Sequence, residues 1–429
     1  MDGRFKFILF CAEKGGKTEA FRCAFMEHDP ERLPLIDAGA LKMQLEAVRK
    51  FSPNTLSVME FKSQRDIDIA TKIYGDWPLL GEVREDSWNV KFTTEFHMTN
   101  DSHLFVARDK LEQMGAVEIT GHRWVSSPTA LPEKASLEML GYDALRQMAE
   151  REEIELFLPL WEGKQIWILT DEMVPPSSWI RHGEVSSVSS TSFSKVVYRA
   201  LAASTNERTL IGTTIPPGNP VGHSMNVCPI GPDSNMIIAA LLTSFILDWL
   251  IRCKVTTNLT MFYLYQLPVP MVENFSKGKI HQSLISRTAR LISTSTIYRD
   301  LWKSVFHEEY RNLDFWYPVM GTKYDHYGPK HEQDIRRRLA EEAANLTPEW
   351  TPACGVHDRT PDRRDTGDRT QLRAEIDACV AHLYGLTRDD FAYILDTFPV
   401  LKRKEEQAFG EFMSKRKCLE EYDRIATIL

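Results

Sequence analysis

No C-x-x-C pair occurs in the sequence, and its seven cysteines, at positions 11, 23, 228, 253, 354, 379 and 418, are scattered and odd in number. That pattern excludes a disulfide framework and a zinc ribbon, and leaves ordinary buried thiols. Positive charge is not in excess either: the formal net charge is −8. A protein that grips DNA by bulk electrostatics is thereby excluded, because non-specific phosphate binding needs clustered Lys and Arg. Any nucleic-acid contact must come from a local patch or from a partner. No apolar run reaches the ~20 residues of a membrane span. The longest, Met236 to Ile251, is interrupted by Thr243, Ser244 and Asp248 and reads as a buried or amphipathic helix. The opening Met1 to Phe10 has too short an apolar run, and no small-residue cleavage site, for a secretory signal. A cytoplasmic protein without membrane attachment is expected.

The usual catalytic motifs are also missing. Methyl transfer to adenine needs a Gly-rich cofactor loop and an Asn-Pro-Pro-aromatic tetrapeptide. In that tetrapeptide the Asn and a backbone carbonyl accept from the target amino group, and the aromatic stacks on the flipped base. Asn219-Pro220-Val221 is the nearest match, and it lacks the second proline and the aromatic. Lys14-Gly15-Gly16-Lys17-Thr18 resembles the end of a phosphate-binding loop, but the first glycine of that motif would fall on Cys11, so a hairpin turn is the better reading. Asp37, Glu60 and Lys62 supply the residue types of a metal-dependent nuclease, two carboxylates for a divalent cation and a lysine to orient water. The tripeptide E-x-K is common by chance, and a strand with a solvated edge competes with that reading. His97, His103 and His122, with Cys354 and His357, match no metal-ligand spacing.

What is present is a globular chain of 429 residues with 43% hydrophobic content, enough for a large core and for two or three domains. Alternation at Phe5, Phe7, Leu9 and at Phe21, Cys23, Phe25 predicts a pair of strands around Lys14–Lys17. A helix is expected through Leu41, Leu45 and Val48, an extended run over Ser57–Phe61, and a helix from Asp66 to Tyr74. The Pro- and Ser-rich stretch before Ser192 suits a linker. After Pro270 the apolar spacing turns helical, at Ile280-Leu284-Ile285-Thr288-Leu291-Ile292 and at Ile335-Leu339. The expected organisation is a first lobe over 1–175, a linker over 176–192, a second lobe over 193–270, a helical segment over 271–346, a flexible connector over 347–371 and a helical tail over 372–429. Ile237, Leu241, Phe245 and Trp249 share a helix face at i, i+4 spacing and are expected to form the central packing element.

An ordered series of segments carries a family resemblance. It runs from Phe5-Lys6-Phe7 and Phe21 to Phe25, through Ser52-Pro53-Asn54-Thr55, Ser63-Gln64-Arg65-Asp66 and Ile73-Tyr74, to Phe96-His97-Met98-Thr99-Asn100-Asp101-Ser102-His103-Leu104-Phe105 and Leu158-Pro159-Leu160-Trp161-Glu162-Gly163-Lys164. It continues with Tyr198-Arg199, Thr205-Asn206-Glu207-Arg208-Thr209, Pro216-Pro217, Leu242-Thr243-Ser244-Phe245 with Asp248, Arg252-Cys253-Lys254 and Gln266-Leu267-Pro268-Val269-Pro270. The tail adds Asp377, Leu383-Tyr384-Gly385-Leu386, Tyr393-Ile394-Leu395-Asp396, Phe409-Gly410-Glu411 and Leu419-Glu420-Glu421-Tyr422-Asp423. This series resembles the C-terminal region of type IIG restriction-modification enzymes and of the related long adenine-specific DNA methyltransferases of phage-defence systems.

The resemblance implies a two-lobed target-recognition domain of mixed α and β (α+β) fold, with a helical segment and a helical tail, that reads base edges. It also implies that catalysis lies elsewhere. The expected partners are double-stranded DNA and a separate catalytic subunit that binds S-adenosylmethionine, with no catalytic residue and no cofactor in this chain. The alternatives are the product of a broken methyltransferase gene, or the nuclease built on Asp37, Glu60 and Lys62. Candidate DNA-contacting residues are Asn100, Asp101, Ser102, Lys164, Arg199, Asn206, Arg208, Arg252, Lys254 and Asn258. Arg pairs with guanine and Asn with adenine in the major groove, while Lys and Ser suit phosphates. Each group has a structural alternative. Thr205 or Asn206 could cap a helix with Arg208 in a surface ion pair, Asn100–His103 could be an Asx turn, and Arg252 and Lys254 suit a helix C-terminus.

Overall fold

A computed structural model describes residues 8–27, 29, 31, 34, 36–85, 87–127, 130–170, 174–185, 189–255, 257–270, 278–293, 295–312, 330–349 and 367–427. Of these residues 47% are helix and 14% strand, the strands in several small antiparallel sheets, so the fold is mixed α and β with more helix than strand. The chain divides into two compact units, Met1–Thr71 and Lys72–Leu429. That boundary differs from the expected lobe division at 176–192.

In the first unit β1 (Ala20–Cys23) pairs antiparallel with β2 (Leu41–Gln44), Ala20 opposite Gln44 and Cys23 opposite Leu41. The expected pairing across Lys14–Lys17 is thus corrected. Residues 8–13 are not strand, and Gly15 and Gly16, at φ +117° and +75°, bend the chain without closing a ladder. β2 occupies what was expected to be the start of a helix. Its burial alternates, with Met43 inside and Lys42 and Gln44 outside, the period of a strand, and α1 (Leu45–Phe51) begins only after it. Ser57–Phe61 runs without a ladder partner. α2 (Gln64–Tyr74), close to the expected helix, begins in this unit and ends in the second, and starts on a reciprocal cap. Asp66 donates its N–H to Ser63 Oγ at 3.2 Å, and its Oδ2 accepts from the Ser63 N–H at 2.8 Å.

In the second unit β3 (Phe105–Val106), β4 (Val117–Ile119), β5 (Arg123–Ser126), β6 (Glu155–Pro159) and β7 (Trp179–Arg181) form an antiparallel sheet in the order β3-β7-β6-β5-β4. Both faces are covered. Val125, Leu156, Leu158 and Ile180 pack with Leu145 of α3 (Tyr142–Glu150) on one side, and Trp124, Phe157 and Trp179 pack with Leu111 on the other. β7 lies inside the stretch expected to be a linker. Trp179, 1% exposed, makes it a core strand, and the sheet therefore runs across the expected lobe boundary.

β8 (Lys195–Arg199), β9 (Gly212–Ile215) and β10 (Met225–Cys228) form a second antiparallel sheet in the order β10-β8-β9. Gly212 is required there, since a Cβ would fall 2.7 Å from the Val197 carbonyl oxygen. α4 (Pro232–Thr243) packs on β8 and β9 and is buried continuously from Asn235 to Thr243, as a helix apolar on all sides must be.

The expected continuous helix through Trp249 is broken. α4 ends at Thr243, Ser244 adopts an extended conformation, and α5 (Phe245–Arg252) leaves at 56°. Ser244 caps α5, its Oγ accepting from the Leu247 N–H at 3.3 Å, while Asp377 takes the Phe245 N–H at 2.7 Å. Ile237, Leu241, Phe245 and Trp249 are all buried, but they serve two helices rather than one face. No single described helix is long and apolar enough to cross a membrane.

The helices expected after Pro270 are present as α6 (Lys279–Ile292), α7 (Arg299–Val305) and α8 (Lys330–Ala344). Most of the expected connector, 350–366, lies outside the described residues, and its last part begins α9 (Gly367–Leu383). The tail continues as α10 (Arg388–Asp396), α11 (Pro399–Phe409) and α12 (Met413–Ile425). Between α8, α9 and α12 the buried charges are paired, for example Arg336 with Glu421 at 2.8 Å and Lys417 with Glu332 at 3.1 Å.

Candidate functional site

Two places in the second unit gather the candidate residues. The first is an exposed group of loops. Phe96 bridges Gly222 and Trp161 bridges Val221, both in parallel sense. Backbone hydrogen bonds fix the register, with Trp161 donating to Pro220 at 2.8 Å, Gly222 to Trp161 at 2.7 Å and His223 to Phe96 at 2.7 Å. Residues 97–103, 162–165 and 222–224 are therefore held side by side, although they lie far apart in the sequence.

In the first of these loops Asp101 Oδ2 accepts from the His97 N–H at 2.6 Å, the Asp101 N–H returns to the His97 carbonyl at 2.9 Å, and Ser102 Oγ donates to Thr99 at 2.9 Å. The side chain of Asp101 thus builds the loop, as the Asx-turn alternative supposed, and Asn100 is left exposed beside it. Lys164, also exposed, stands in a one-turn helix, Gly163–Gln165, capped by Glu162. Its Nζ is 3.2 Å from both Glu162 Oε1 and Ser177 Oγ. Arg199, at the end of β8, turns inward instead. Its guanidinium donates to the Ile166 carbonyl and lies 5.4 Å from the Trp167 ring centre.

The second place is a knot around Asp248, whose side chain is fully buried within α5. Arg208 reaches it through Nε at 2.5 Å and also donates to the Thr243 carbonyl at the break between α4 and α5. The same carboxylate accepts from the backbone of Thr209 at 3.1 Å and Leu210 at 3.3 Å, and from Arg252 Nε at 3.3 Å. The Arg208 guanidinium sits 4.1 Å from the centre of the Phe245 ring. Arg252 donates onward to the carbonyls of Asn206 and Glu207, each at 2.8 Å.

The expectation that Arg208 reads a base edge is corrected: its side chain is 1% exposed and its charge is met from within. The surface ion pair weighed against it is corrected as well, since the pair is buried and 203–206 form a turn rather than a helix start. Burial needs a counter-charge, and Asp248, the one carboxylate of α5, needs a cation equally. That reciprocal need was the signal in the sequence that could have found the pair.

Lys254, just past α5, donates to Gln266 Oε1 at 2.8 Å and lies 5.8 Å from the Tyr74 ring centre. Burial pushes its ammonium group down to about 7. Asn206 and Asn258 are exposed, and Asn258 bridges Leu201 through its backbone. Of the ten candidates, Asn100, Ser102, Lys164, Asn206 and Asn258 present themselves to solvent, Asp101 is half-buried in its turn, and Arg199, Arg208, Arg252 and Lys254 are engaged by the protein.

Beside the knot opens a cleft of about 590 Å³, much of it continuous with solvent, lined by Trp167, Phe245, Asp377, Lys404, Glu405 and Cys418. Burial raises the Asp377 carboxyl to about 6 despite the nearby Arg208. Lys404 pairs with Glu207 at 2.7 Å, another residue of the lining.

In the first unit Lys62 and Glu60 belong to the approach to α2, where the Lys62 N–H donates to Asp66 Oδ2 at 2.8 Å. The Asp37 side chain lies outside the described residues, as do Cys354 and His357. Among the described residues no three His, Cys, Asp or Glu side chains are placed to hold a metal ion. His122 stands 3.0 Å from Glu118, and His97 stacks on His223 with ring centres 4.4 Å apart. The histidine stack was not foreseen, because His97 was weighed as a metal ligand or as an isolated hydrogen-bonding histidine, never beside His223. No family model matches this chain, and no curated protein matches it.

Proposed function

We propose that this chain is a sequence-reading subunit for DNA, the target-recognition part of an adenine-specific methyltransferase or type IIG restriction-modification system. It acts in the cytoplasm with a separate subunit that binds S-adenosylmethionine and flips the adenine. The observation that carries the reading is convergence. Phe96–Phe105 and Leu158–Lys164, two segments of the family-like series separated by more than fifty residues, are brought into contact through the 220–224 turn. Together they expose Asn100, Ser102, His97, His223 and Lys164 on linked loops. Exposed loops held by a bridged frame are where contacts to a large ligand are made. The residue types suit base edges and phosphates, with Asn100 for adenine and Lys164 for the backbone.

The knot around Asp248 supports the same reading in a different role: it fixes the Asn206 turn, because Arg252 holds the carbonyls of Asn206 and Glu207. Methylation of a randomised DNA library tests the proposal, using the chain combined with an S-adenosylmethionine-binding adenine methyltransferase subunit and read by sequencing. A defined methylated word that appears only when this chain is present is the expected outcome. The same word without the chain, or none with it, removes the proposal.

A further inference from the structure

We propose that His97 and His223 form a fixed pair of N–H donors that takes one phosphate group of the DNA backbone. The proposal rests on the DNA-reading function above and names one site within it. The two rings stack with centres 4.4 Å apart and planes 18° apart. The stack follows from the register: Phe96 bridges Gly222 in parallel sense, and each histidine is the next residue along its strand.

The hydrogen bonds then set the protons. His97 Nδ1 accepts from the backbone N–H of Thr99 at 3.2 Å and of Asn100 at 3.3 Å, and His223 Nδ1 accepts from the backbone N–H of Met98 at 3.2 Å. A ring nitrogen that accepts carries no proton, so each neutral imidazole holds its proton on Nε2. Both histidines are exposed, and neither Nε2 has a partner among the described residues.

Two exposed rings with centres 4.4 Å apart thus each keep one Nε2–H donor that the protein does not use. That spacing lets both reach oxygens of one tetrahedral anion. The nearest carboxylates are already engaged, Asp101 by the His97 N–H and Glu162 by Lys164 and Ser177. Lys164, on the neighbouring loop, is paired with Glu162 and so balances that carboxylate.

The test uses the full chain labelled with 15N at histidine, and a 30-base-pair duplex of mixed sequence, because a phosphate contact is blind to sequence. Long-range nitrogen–proton spectra should show the Nε2–H tautomer in both rings, and duplex addition should shift both Nε2 resonances. His97→Ala and His223→Ala should each weaken duplex binding about 3- to 10-fold, the worth of one hydrogen bond. The slope of affinity against salt should stay unchanged, since no charge is removed. His223→Gln, which keeps a donor, should recover part of the loss. A proton on Nδ1 in either ring overturns the proposal whatever the DNA result, and so does full affinity in the double variant. If the wild-type chain fails to bind the duplex, it is the DNA-reading function that fails. Inorganic phosphate then decides the pair: a joint shift of both Nε2 resonances upholds an anion site, and no shift overturns it.

Discussion

The Asp248 knot and the loops around His97 are built from the same kinds of residues and use them in opposite ways. Around Asp248, Arg208 and Arg252 are enclosed and hold two helices and a turn together. Around His97 the polar side chains either shape the loop, as Asp101 does, or stand in solvent, as Asn100 and Lys164 do. A basic residue and an asparagine, Arg208 with Asn206 in one place and Lys164 with Asn100 in the other, look equally suited to DNA in the sequence. What separates them is a carboxylate with no solvent access: once Asp248 is placed in a core helix, a cation must follow it inside.

The sharpest way to break this comparison is Asp248→Ala. It leaves Arg208 buried without its counter-charge and the backbone of Thr209 and Leu210 without an acceptor. The expected cost is about 3–5 kcal/mol of stability in urea denaturation. A loss below about 1 kcal/mol would show that the knot is not a folding element. Arg208→Ala should come next, with a loss of about 3 kcal/mol from the abandoned carboxylate. Where the variant still folds, the word methylated by the reconstituted complex should be unchanged. A relaxed preference at one position of that word would return Arg208 to the reading surface.

Lys254 sharpens the comparison through pH. Its ammonium titrates near 7 in the folded chain against 10.5 ordinarily, and burial is the main cause. Between those values the unfolded chain holds a proton that the folded one has lost, so stability rises with pH across that window. Below 7 both states are protonated and the whole cost of burying the charge is felt. Lys254→Met should be more stable than the wild type at pH 6 and should flatten the rise toward pH 10. Parallel urea midpoints for the two proteins over that range would contradict the assignment.

The smallest effect on folding belongs to the exposed loops. Lys164→Ala should change stability by no more than about 0.5 kcal/mol. On the proposed reading it should also lower the salt slope of duplex binding by about 1, evenly across sequences. An unchanged slope would take Lys164 out of phosphate contact.

The sequence was most legible where local chemistry decides the structure. The helical spacing of Ile280–Ile292 and of the tail produced helices, and the helix expected from Asp66 to Tyr74 is present as α2. It was least legible where distant partners decide. Leu41–Gln44 carries a pattern that also fits a helix, and only its pairing with β1 makes it a strand. The Pro- and Ser-rich stretch hides Trp179, which the sheet takes in because β3 and β6 flank it. The exposed loops were legible as polar residues at turns, but the stacking of His97 on His223 depends on a bridge between residues more than a hundred positions apart. No local pattern carries that information.

The break at Ser244 also has a consequence in time. The N–H that opens α5 is satisfied by Asp377, which lies 132 residues further along the chain. At roughly 5–20 residues per second, a ribosome takes about 7 to 26 seconds to reach that aspartate after it has made Phe245. Through that interval β8, β9 and Arg208, all made earlier, can already meet the stretch from Met236 to Ile251, but the N–H that opens α5 lacks its acceptor. The side of α5 that α9 and α10 cover in the finished protein therefore stays open for many seconds, until the tail emerges.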